Sequence, residues 1–248
     1  MSTPPPLPPS PGRVYHLPPT GGLLHRSARV LLNFLLPRHC PVCGLRRYAG
    51  DAPICPTCLR QIPRYHEGLL RAADRLDGLA LPVDAFYSLF LYYPDSPARR
   101  VIHRFKYGRF PQIGEYLGRW GAVYSQLSRQ QIDFIVPVPI HPAKLTARGF
   151  NQSERIARGI SQATGIPVLA HALKRVGGTA SQTRRNRYAR RRALQGVFVP
   201  GAERLPAGAR VLLVDDLLTT GATLQAASLG LAPQRPASLS VFTLAVDL

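Results

Sequence analysis

Acidic residues are scarce in this sequence. Its 248 residues include 13 Asp and Glu against 32 Lys and Arg, which gives a formal net charge of +19. Lysine is scarce too, because only Lys106, Lys144 and Lys174 occur. A genome that favours arginine codons would explain the excess of arginine over lysine, but it would not explain the shortage of acids. A surface of this charge attracts polyanions through phosphate contacts and counterion release.

One long segment has no acidic residue at all, between Glu154 and Glu203. A block of like charge is usually a solvated stretch and often an interaction segment, so we expect an anionic partner to neutralise this one. The basic residues of this segment are Arg155, Arg158, Lys174, Arg175, Arg184, Arg185, Arg187, Arg190, Arg191 and Arg192.

Long apolar runs are also missing. The most apolar early stretch, Val30–Leu36, is far shorter than the ~20 residues that a membrane span needs. Residues 1–20 contain eight prolines and lack the cationic and then apolar pattern of a secretory signal. We therefore expect a cytoplasmic protein with no membrane span. Residues 1–20 are predicted to form a disordered or polyproline-like tail, with a docking motif for a partner as the alternative.

The few cysteines are grouped in two pairs, Cys40-x-x-Cys43 and Cys55-x-x-Cys58. Two CxxC turns can direct four thiolates toward one point, which suits tetrahedral zinc. Four cysteine ligands leave no open position, so the predicted zinc is structural. Disulfides, a redox pair and an iron–sulfur cluster are the alternatives. An amphipathic helix and the zinc ribbon that follows it are together predicted to span residues 21–66.

Residues 84–248 alternate between short apolar runs and helical patterns. This order predicts an α/β domain with a parallel sheet and crossover helices. The predicted strands are 86–93, 132–139, 168–173, 211–214 and 239–246, and the predicted helices are 96–107, 113–127, 151–164 and 223–231.

The segment VLLVDDLLTTGAT, residues 211–223, is the strongest motif. A buried strand delivers Asp215 and Asp216 at its carboxyl end, where ligands bind in open α/β sheets. The next turn and the helix start make an anion cradle from successive backbone N–H groups. Gly221 lets the backbone approach a phosphate closely. The predicted phosphate contacts are Thr219, Thr220, Gly221, Ala222 and Thr223.

The two carboxylates repel a phosphate, so they suit sugar hydroxyls or a hydrated Mg²⁺ instead. A ligand that joins a diol to a phosphate, such as ribose 5-phosphate, has the required shape. The alternative, a buried strand followed by a Thr N-cap, leaves Asp215 and Asp216 without an evident partner. The spacing Asp-Asp-x-x-Thr-Thr-Gly resembles the phosphoribosyl-pyrophosphate signature of type I phosphoribosyltransferases. No lysine follows the glycine, so it is not the P-loop of nucleotide hydrolases.

Two further segments narrow this resemblance. VPVPIHPAKLTARGFNQ (136–152) and TASQTRRNRYARRRALQGVF (179–198), with the cysteine pairs and the VDD…TTGAT turn, occur in the order typical of the ComF/GntX family. The chain resembles this family over about residues 35–248. Arg185 stands where the family usually has leucine, Ala193 where it has asparagine, and Val197 where it has alanine.

The resemblance implies a type I phosphoribosyltransferase-like sheet flanked by helices, with a small N-terminal zinc ribbon. It implies that the loop Pro137–His141, including Pro139 and Ile140, holds pyrophosphate with Arg148 nearby. An arginine followed by glycine suits bidentate phosphate binding, although a surface arginine is the alternative. We interpret Phe150 as a core residue.

Three further residues lie near these motifs: Asn151, His141 and Lys106. Asn151 is either functional or the N-cap of the next helix. A structural role is expected for His141, and Lys106 is interpreted as a solvated helix lysine.

Two functions from different classes remain. One is an active phosphoribosyltransferase of nucleotide or nucleobase salvage, in which Asp215 and Asp216 contact ribose or Mg²⁺ and positioning supplies most of the catalysis. The other is an accessory protein of DNA uptake and utilisation in bacterial transformation, as the resemblance implies. In that case the partners are a phosphoribosylated small molecule, single-stranded DNA at the arginine-rich segment, and a competence helicase or another uptake protein.

Overall fold

The computed structural model describes residues 39–45, 52–65, 75–76, 79–176 and 196–248. The predicted proline-rich tail, the helix before the cysteines and the segment that holds Arg184–Arg192 lie outside these residues. The chain divides into two compact units, Met1–Gln61 and Ile62–Leu248. The boundaries predicted from the sequence, at residues 66 and 84, stay a prediction.

The larger unit contains a parallel sheet of four strands, in the order β1-β6-β5-β2. These strands are β1 (Val83–Tyr92), β2 (Phe134–Pro137), β5 (Arg210–Leu218) and β6 (Ser238–Asp247). Each neighbouring pair runs parallel, so all the strands end at the same edge. The predicted parallel α/β architecture is confirmed.

Strand β5 lies in the middle of the sheet and is longer than predicted. The predicted end at Val214 is wrong, because β6 pairs with β5 as far as Leu218, opposite Val246. On the other side, β2 ends where Pro137 pairs with Val214. Among the described residues, no strand pairs with this edge of β5 from Asp215 onward.

Helices cover one face of the sheet. They are α2 (Pro97–Tyr107), α3 (Pro111–Tyr124) and α5 (Gln152–Thr164). Between β2 and α5 lies a short helix, α4 (Pro142–Arg148), which has no buried residue. Helices α3 and α5 approach closely at two glycines: a Cβ added at Gly118 would lie 2.2 Å from Ile156 O, and one at Gly159 would lie 2.1 Å from Glu115 O. This close approach leaves room for no larger side chain at either position.

Helix α6 (Ala222–Leu231) packs on the opposite face with a two-stranded antiparallel ribbon. The ribbon consists of β3 (Leu173–Arg175) and β4 (Phe198–Pro200). The strand predicted at 168–173 is wrong, since the chain makes only an isolated bridge from Val168 to Ile135 and then turns. None of the helices in the described residues is long and apolar enough to cross a membrane.

The smaller unit holds the cysteine pairs. Its one described helix, α1 (Pro56–Arg60), begins after Cys55, whose Sγ accepts a hydrogen bond from Cys58 N at 3.4 Å. Gly44 adopts φ +76 after the first pair, the left-handed conformation that glycine tolerates best and that reverses the chain. The two CxxC turns therefore differ, because only the second opens a helix.

Candidate functional site

The candidate site begins with two adjacent carboxylates on β5. Asp215 and Asp216 follow the last residue that β2 pairs, while β6 still holds their backbone in the sheet. Asp215 contacts Ser153 of α5, and Asp216 contacts Lys106 of α2. Strand β5 thus presents the carboxyl groups at the open carboxyl edge, where ligands bind in parallel sheets.

Asp215 is held by two hydrogen bonds to one oxygen. Ser153 Oγ donates to Asp215 Oδ1 at 3.0 Å, and the backbone N–H of Asp216 donates to the same oxygen at 2.9 Å. Burial and the nearby charge of Asp216 raise the pKa of Asp215 to about 7. These effects exceed the hydrogen bonds, which favour the ionised form.

Asp216 forms an ion pair with Lys106. The distance from Lys106 Nζ to Asp216 Oδ1 is 2.8 Å, and the two side chains are only 17% and 12% exposed. The interpretation of Lys106 as a solvated helix lysine is therefore wrong. Its neighbour Phe105 is fully buried, which draws the last turn of α2 toward the sheet and brings the ammonium group to β5.

Each carboxylate has one oxygen that no described residue engages. Within the described residues, the bonds above engage only Oδ1 of Asp215 and Oδ1 of Asp216. The Oδ2 atoms have no such partner there. Two acceptors on neighbouring residues suit two hydroxyl donors, as a vicinal diol supplies.

The turn after β5 has the backbone that the motif predicts. Gly221 adopts φ +78 and caps α6, and Thr219 and Thr220 are exposed. A Cβ at Gly221 would lie 2.2 Å from Arg75 O, so no other residue fits without a shift of the backbone. The first N–H groups of a helix lack partners within the helix and attract anions. Here they belong to Ala222, whose N–H donates to Thr220 Oγ1 at 3.5 Å, and to Thr223.

The loop after β2 leaves the sheet beside Asp215. Val138 N donates to Val214 O at 2.9 Å, and half-buried Pro139 and Ile140 follow directly. His141 caps α4 by accepting a hydrogen bond from Ala143 N at 3.2 Å, which confirms its structural role. The sequence motif and the register therefore bring this loop to the same edge as the carboxylates.

Asn151 is an N-cap. Its Oδ1 accepts from Ser153 N at 3.2 Å, and its Nδ2 donates to Val138 O at 3.1 Å. The residue ties the start of α5 to the loop after β2 and so helps to place Ser153. Phe150 is buried against Phe105 at 5.6 Å between ring centroids, which confirms it as a core residue.

Arg148 is already engaged at the end of α4. Its guanidinium donates to Gln152 Oε1 at 3.0 Å and to Tyr107 Oη at 3.2 Å. It also lies 5.0 Å from the centroid of the Tyr107 ring. These contacts leave other guanidinium N–H groups for an anion, because arginine carries five donors. The sequence motif did not indicate Tyr107 or the partner role of Gln152.

Arg175 adds a second positive group near the carboxylates. Burial lowers the pKa of its guanidinium, and the negative charge of Asp215 acts in the opposite direction. The guanidinium also lies 5.2 Å from the centroid of the Phe198 ring. Only the charge of the acid-free segment pointed to this residue, and no sequence motif indicated an electrostatic effect of Asp215 on it.

The four cysteines of the smaller unit form one cluster. Their Sγ atoms all lie within 4.8 Å of one another, with 4.0 Å between Cys40 and Cys58 and 3.8 Å between Cys43 and Cys55. Tetrahedral bonds of about 2.3 Å to zinc require sulfurs about 3.8 Å apart. The geometry therefore fits a metal ion, and all four cysteines are free of disulfides.

The pKa values of the cysteines reflect the repulsion between neighbouring thiolates. Burial and the other cysteines raise the pKa of Cys58 above its usual range. Burial also acts to raise the pKa of Cys40, but hydrogen bonds from the N–H groups of Cys55, Cys43 and Val42 lower it to about 7. A bound cation would relieve the repulsion between the thiolates.

Comparisons with known proteins show what this chain resembles. The family model "Phosphoribosyl transferase domain" matches residues 147–247, which include β5, the turn and α6. Among solved structures, the allosteric regulatory enzyme of purine biosynthesis is 20% identical, with a TM-score of 0.39, over 57% of this chain and 30% of that chain.

Three curated relatives match most of the chain. The DNA utilization protein YhgH of Escherichia coli O157:H7 is 30% identical over 190 residues, which are 74% of this chain and 73% of that protein. Competence protein F of Haemophilus influenzae is 29% identical and covers 75% of each chain. Competence protein ComFC of Bacillus subtilis is 26% identical, over 88% of this chain and 82% of that protein. The chain belongs to the ComF/YhgH family, with a phosphoribosyltransferase domain and a four-cysteine cluster near its N-terminus.

Proposed function

We propose that the open edge of the sheet binds phosphoribosyl pyrophosphate together with Mg²⁺, and that this binding serves DNA utilisation. The observation that carries the proposal is the pair Asp215 and Asp216, directly before a turn whose Gly221 starts a helix. Each of the two has one carboxylate oxygen that no described residue engages. A diol acceptor next to an anion cradle matches a ribose that bears a 5-phosphate.

Each part of the ligand has residues that suit it. The ribose hydroxyls would donate to Asp215 and Asp216, and the 5-phosphate would accept from the backbone of 219–223. The pyrophosphate would lie at Pro139 and Ile140, within reach of Arg148. Mg²⁺ would screen the charges of the pyrophosphate and the carboxylates from each other.

Titration calorimetry with phosphoribosyl pyrophosphate and MgCl₂ tests this proposal. The wild-type protein is expected to bind, and Asp215→Asn and Asp216→Asn are each expected to weaken binding at least about tenfold, or ~1.4 kcal/mol. Asp84→Asn is the matched control, because this exposed carboxylate lies at the start of β1, at the opposite edge of the sheet. No binding by the folded wild-type protein would overturn the assignment.

A second measurement separates a binding protein from a transferase of nucleotide salvage. Fold and ligand binding do not by themselves establish a reaction. Release of pyrophosphate in the presence of candidate bases or amines would show transfer. Binding without release under the same conditions would leave the site as a ligand sensor.

The role in DNA utilisation is proposed from the names of the relatives and from the charge of +19. We expect single-stranded DNA to bind through the arginine-rich segment 184–192, with a competence helicase or another uptake protein as a further partner. A gel-shift assay at two salt concentrations tests the first contact, because phosphate contacts weaken steeply with salt. Unchanged affinity for single-stranded DNA after Arg190–Arg192 are replaced by glutamine would contradict a role of this segment in DNA binding.

The four-cysteine cluster is proposed to hold structural zinc. Four thiolates fill a tetrahedral zinc site and leave no position for a substrate. Reduced, metal-bound thiols suit a reducing compartment, so we place the protein in the cytoplasm.

A further inference from the structure

The ion pair between Lys106 and Asp216 lies inside the candidate site. Lys106 comes from the last turn of α2, and Asp216 lies near the carboxyl end of β5. The two side chains are mostly shielded from solvent, and their charged atoms are 2.8 Å apart. By contrast, Arg99 in the first turn of the same helix pairs with Asp95, which precedes the helix, at 3.7 Å, and these side chains are 53% and 98% exposed.

The backbone around Lys106 is firmly placed. Val101, Ile102 and Phe105 are buried on the inner face of α2, and Phe105 stacks with Phe150. A cation in the last turn is also favoured by the helix dipole. A packed helix therefore holds the ammonium group next to Asp216. In an ion pair with an exposed lysine, solvent screening and the loss of side-chain entropy would cancel most of the favourable electrostatic energy.

One of the two carboxylates already has a counter-ion. Asp215 and Asp216 supply two negative charges when both are ionised, and Lys106 bonds to Asp216 at 2.8 Å. A free divalent cation gains less at a site where one of the two negative charges is already paired, because it must also lose part of a tightly held hydration shell.

We propose that Lys106 is a positioning residue that acts as the resident counter-ion of the carboxylates and keeps free Mg²⁺ out of the site. In this scheme Mg²⁺ enters only with the phosphate groups that bring their own negative charge, and Lys106 keeps Asp216 in place for the sugar hydroxyl. The inference rests on the proposed function, since it concerns regulation of the same site.

Calorimetry with MgCl₂ alone tests the inference. Lys106→Met removes the charge and keeps the length of the side chain, and Lys106→Arg keeps the charge. Arg99→Met is the matched control, because it removes one positive charge from the exposed face of the same helix. Lys106→Met is expected to bind Mg²⁺ at least about tenfold more tightly than the wild-type protein does. Lys106→Arg and Arg99→Met should stay at the wild-type value.

Equal affinity for Mg²⁺ in Lys106→Met, Arg99→Met and the wild type would overturn the inference. Should Lys106→Met fail to fold, Lys106→Gln replaces it. The wild-type protein also supplies an arm that needs no variant: free Mg²⁺ should bind it only weakly, and tight binding of free Mg²⁺ would reject the proposal. Absence of phosphoribosyl-pyrophosphate binding by the wild type would instead refute the proposed function, so the two failures are distinguishable.

Discussion

Ser153 Oγ donates a hydrogen bond to Asp215 Oδ1 at 3.0 Å, across 62 positions of the chain. Ser153 is buried in the first turn of α5, where Asn151 fixes the start of the helix through Val138 O. The same helix start therefore orients a carboxylate on β5 and the loop after β2. This coupling places the two halves of the candidate site relative to each other.

Replacement of Ser153 by alanine should loosen Asp215. A buried hydrogen bond to a carboxylate contributes about 1.5–3 kcal/mol, so we expect Ser153→Ala to weaken binding of phosphoribosyl pyrophosphate by roughly tenfold. Ser161→Ala, in the same helix, is the control and should bind as the wild type does. Calorimetry of both variants checks the prediction, and equal affinities would contradict it.

The stability of the protein should reveal the raised pKa of Asp215. The folded carboxyl has a pKa of about 7, against an ordinary value of 3.8, so between these values the folded chain binds a proton that the unfolded chain has released. The contribution of this group to the free energy of unfolding therefore falls as pH rises from about 4 to about 7. Asp215→Asn removes this ionisation. As pH rises from about 4 to about 7, the free energy of unfolding of the variant should therefore increase relative to that of the wild type by on the order of 1–3 kcal/mol.

Urea unfolding of the two proteins between pH 4 and pH 8, without Mg²⁺, measures this gain. Asp133→Asn is the control with the opposite sign, because hydrogen bonds from Arg210 lower the pKa of Asp133 to about 2. The contribution of Asp133 is present above about pH 4 and is lost only as pH falls toward 2. Its variant should therefore differ from the wild type by a constant amount between pH 5 and pH 8. A constant difference for Asp215→Asn as well would contradict the prediction.

Gly221→Ala should be far more damaging than an ordinary glycine substitution. An alanine at φ +78 costs about 1–2 kcal/mol for the left-handed backbone. Its Cβ would also lie 2.2 Å from Arg75 O. We expect a total loss of roughly 2–4 kcal/mol and no binding of phosphoribosyl pyrophosphate.

Gly165→Ala separates the two costs. Gly165 also has φ +78, but a Cβ there would meet nothing within 4 Å, so only the backbone cost applies. Chemical unfolding should place Gly165→Ala between the wild type and Gly221→Ala, with ligand binding intact. Similar losses in the two variants would show that the contact with Arg75 does not matter.

The parts of the site that the sequence predicted are local in the chain. The carboxylates, the glycine and the helix start lie within residues 215–222, so their order alone indicates a strand, a tight turn and a helix. The cysteine pairs are predictable for the same reason, because spacing within each CxxC brings two thiols together.

The parts that the sequence did not predict depend on distant pairing. Lys106 and Asp216 are 110 positions apart, and no local pattern separates a lysine that reaches β5 from one in solvent. The position of Lys106 next to Phe105 in the sequence was the one feature that could have indicated its burial. The end of β5 was misplaced because aspartates are rare in strands, whereas pairing with β6 keeps the strand extended to Leu218.

Zinc content tests the cysteine cluster independently of the ligand site. Elemental analysis of protein purified without chelators should give about one zinc per chain, because the four thiols form a single group. Cys58→Ser should lower the zinc content sharply, since it removes one of four ligands. His39→Gln is the control: His39 adjoins Cys40 in the sequence but lies outside the cluster, so its variant should keep the metal. Iron in place of zinc, with a visible absorption band, would indicate an iron–sulfur cluster, and full zinc in Cys58→Ser would contradict the four-cysteine assignment.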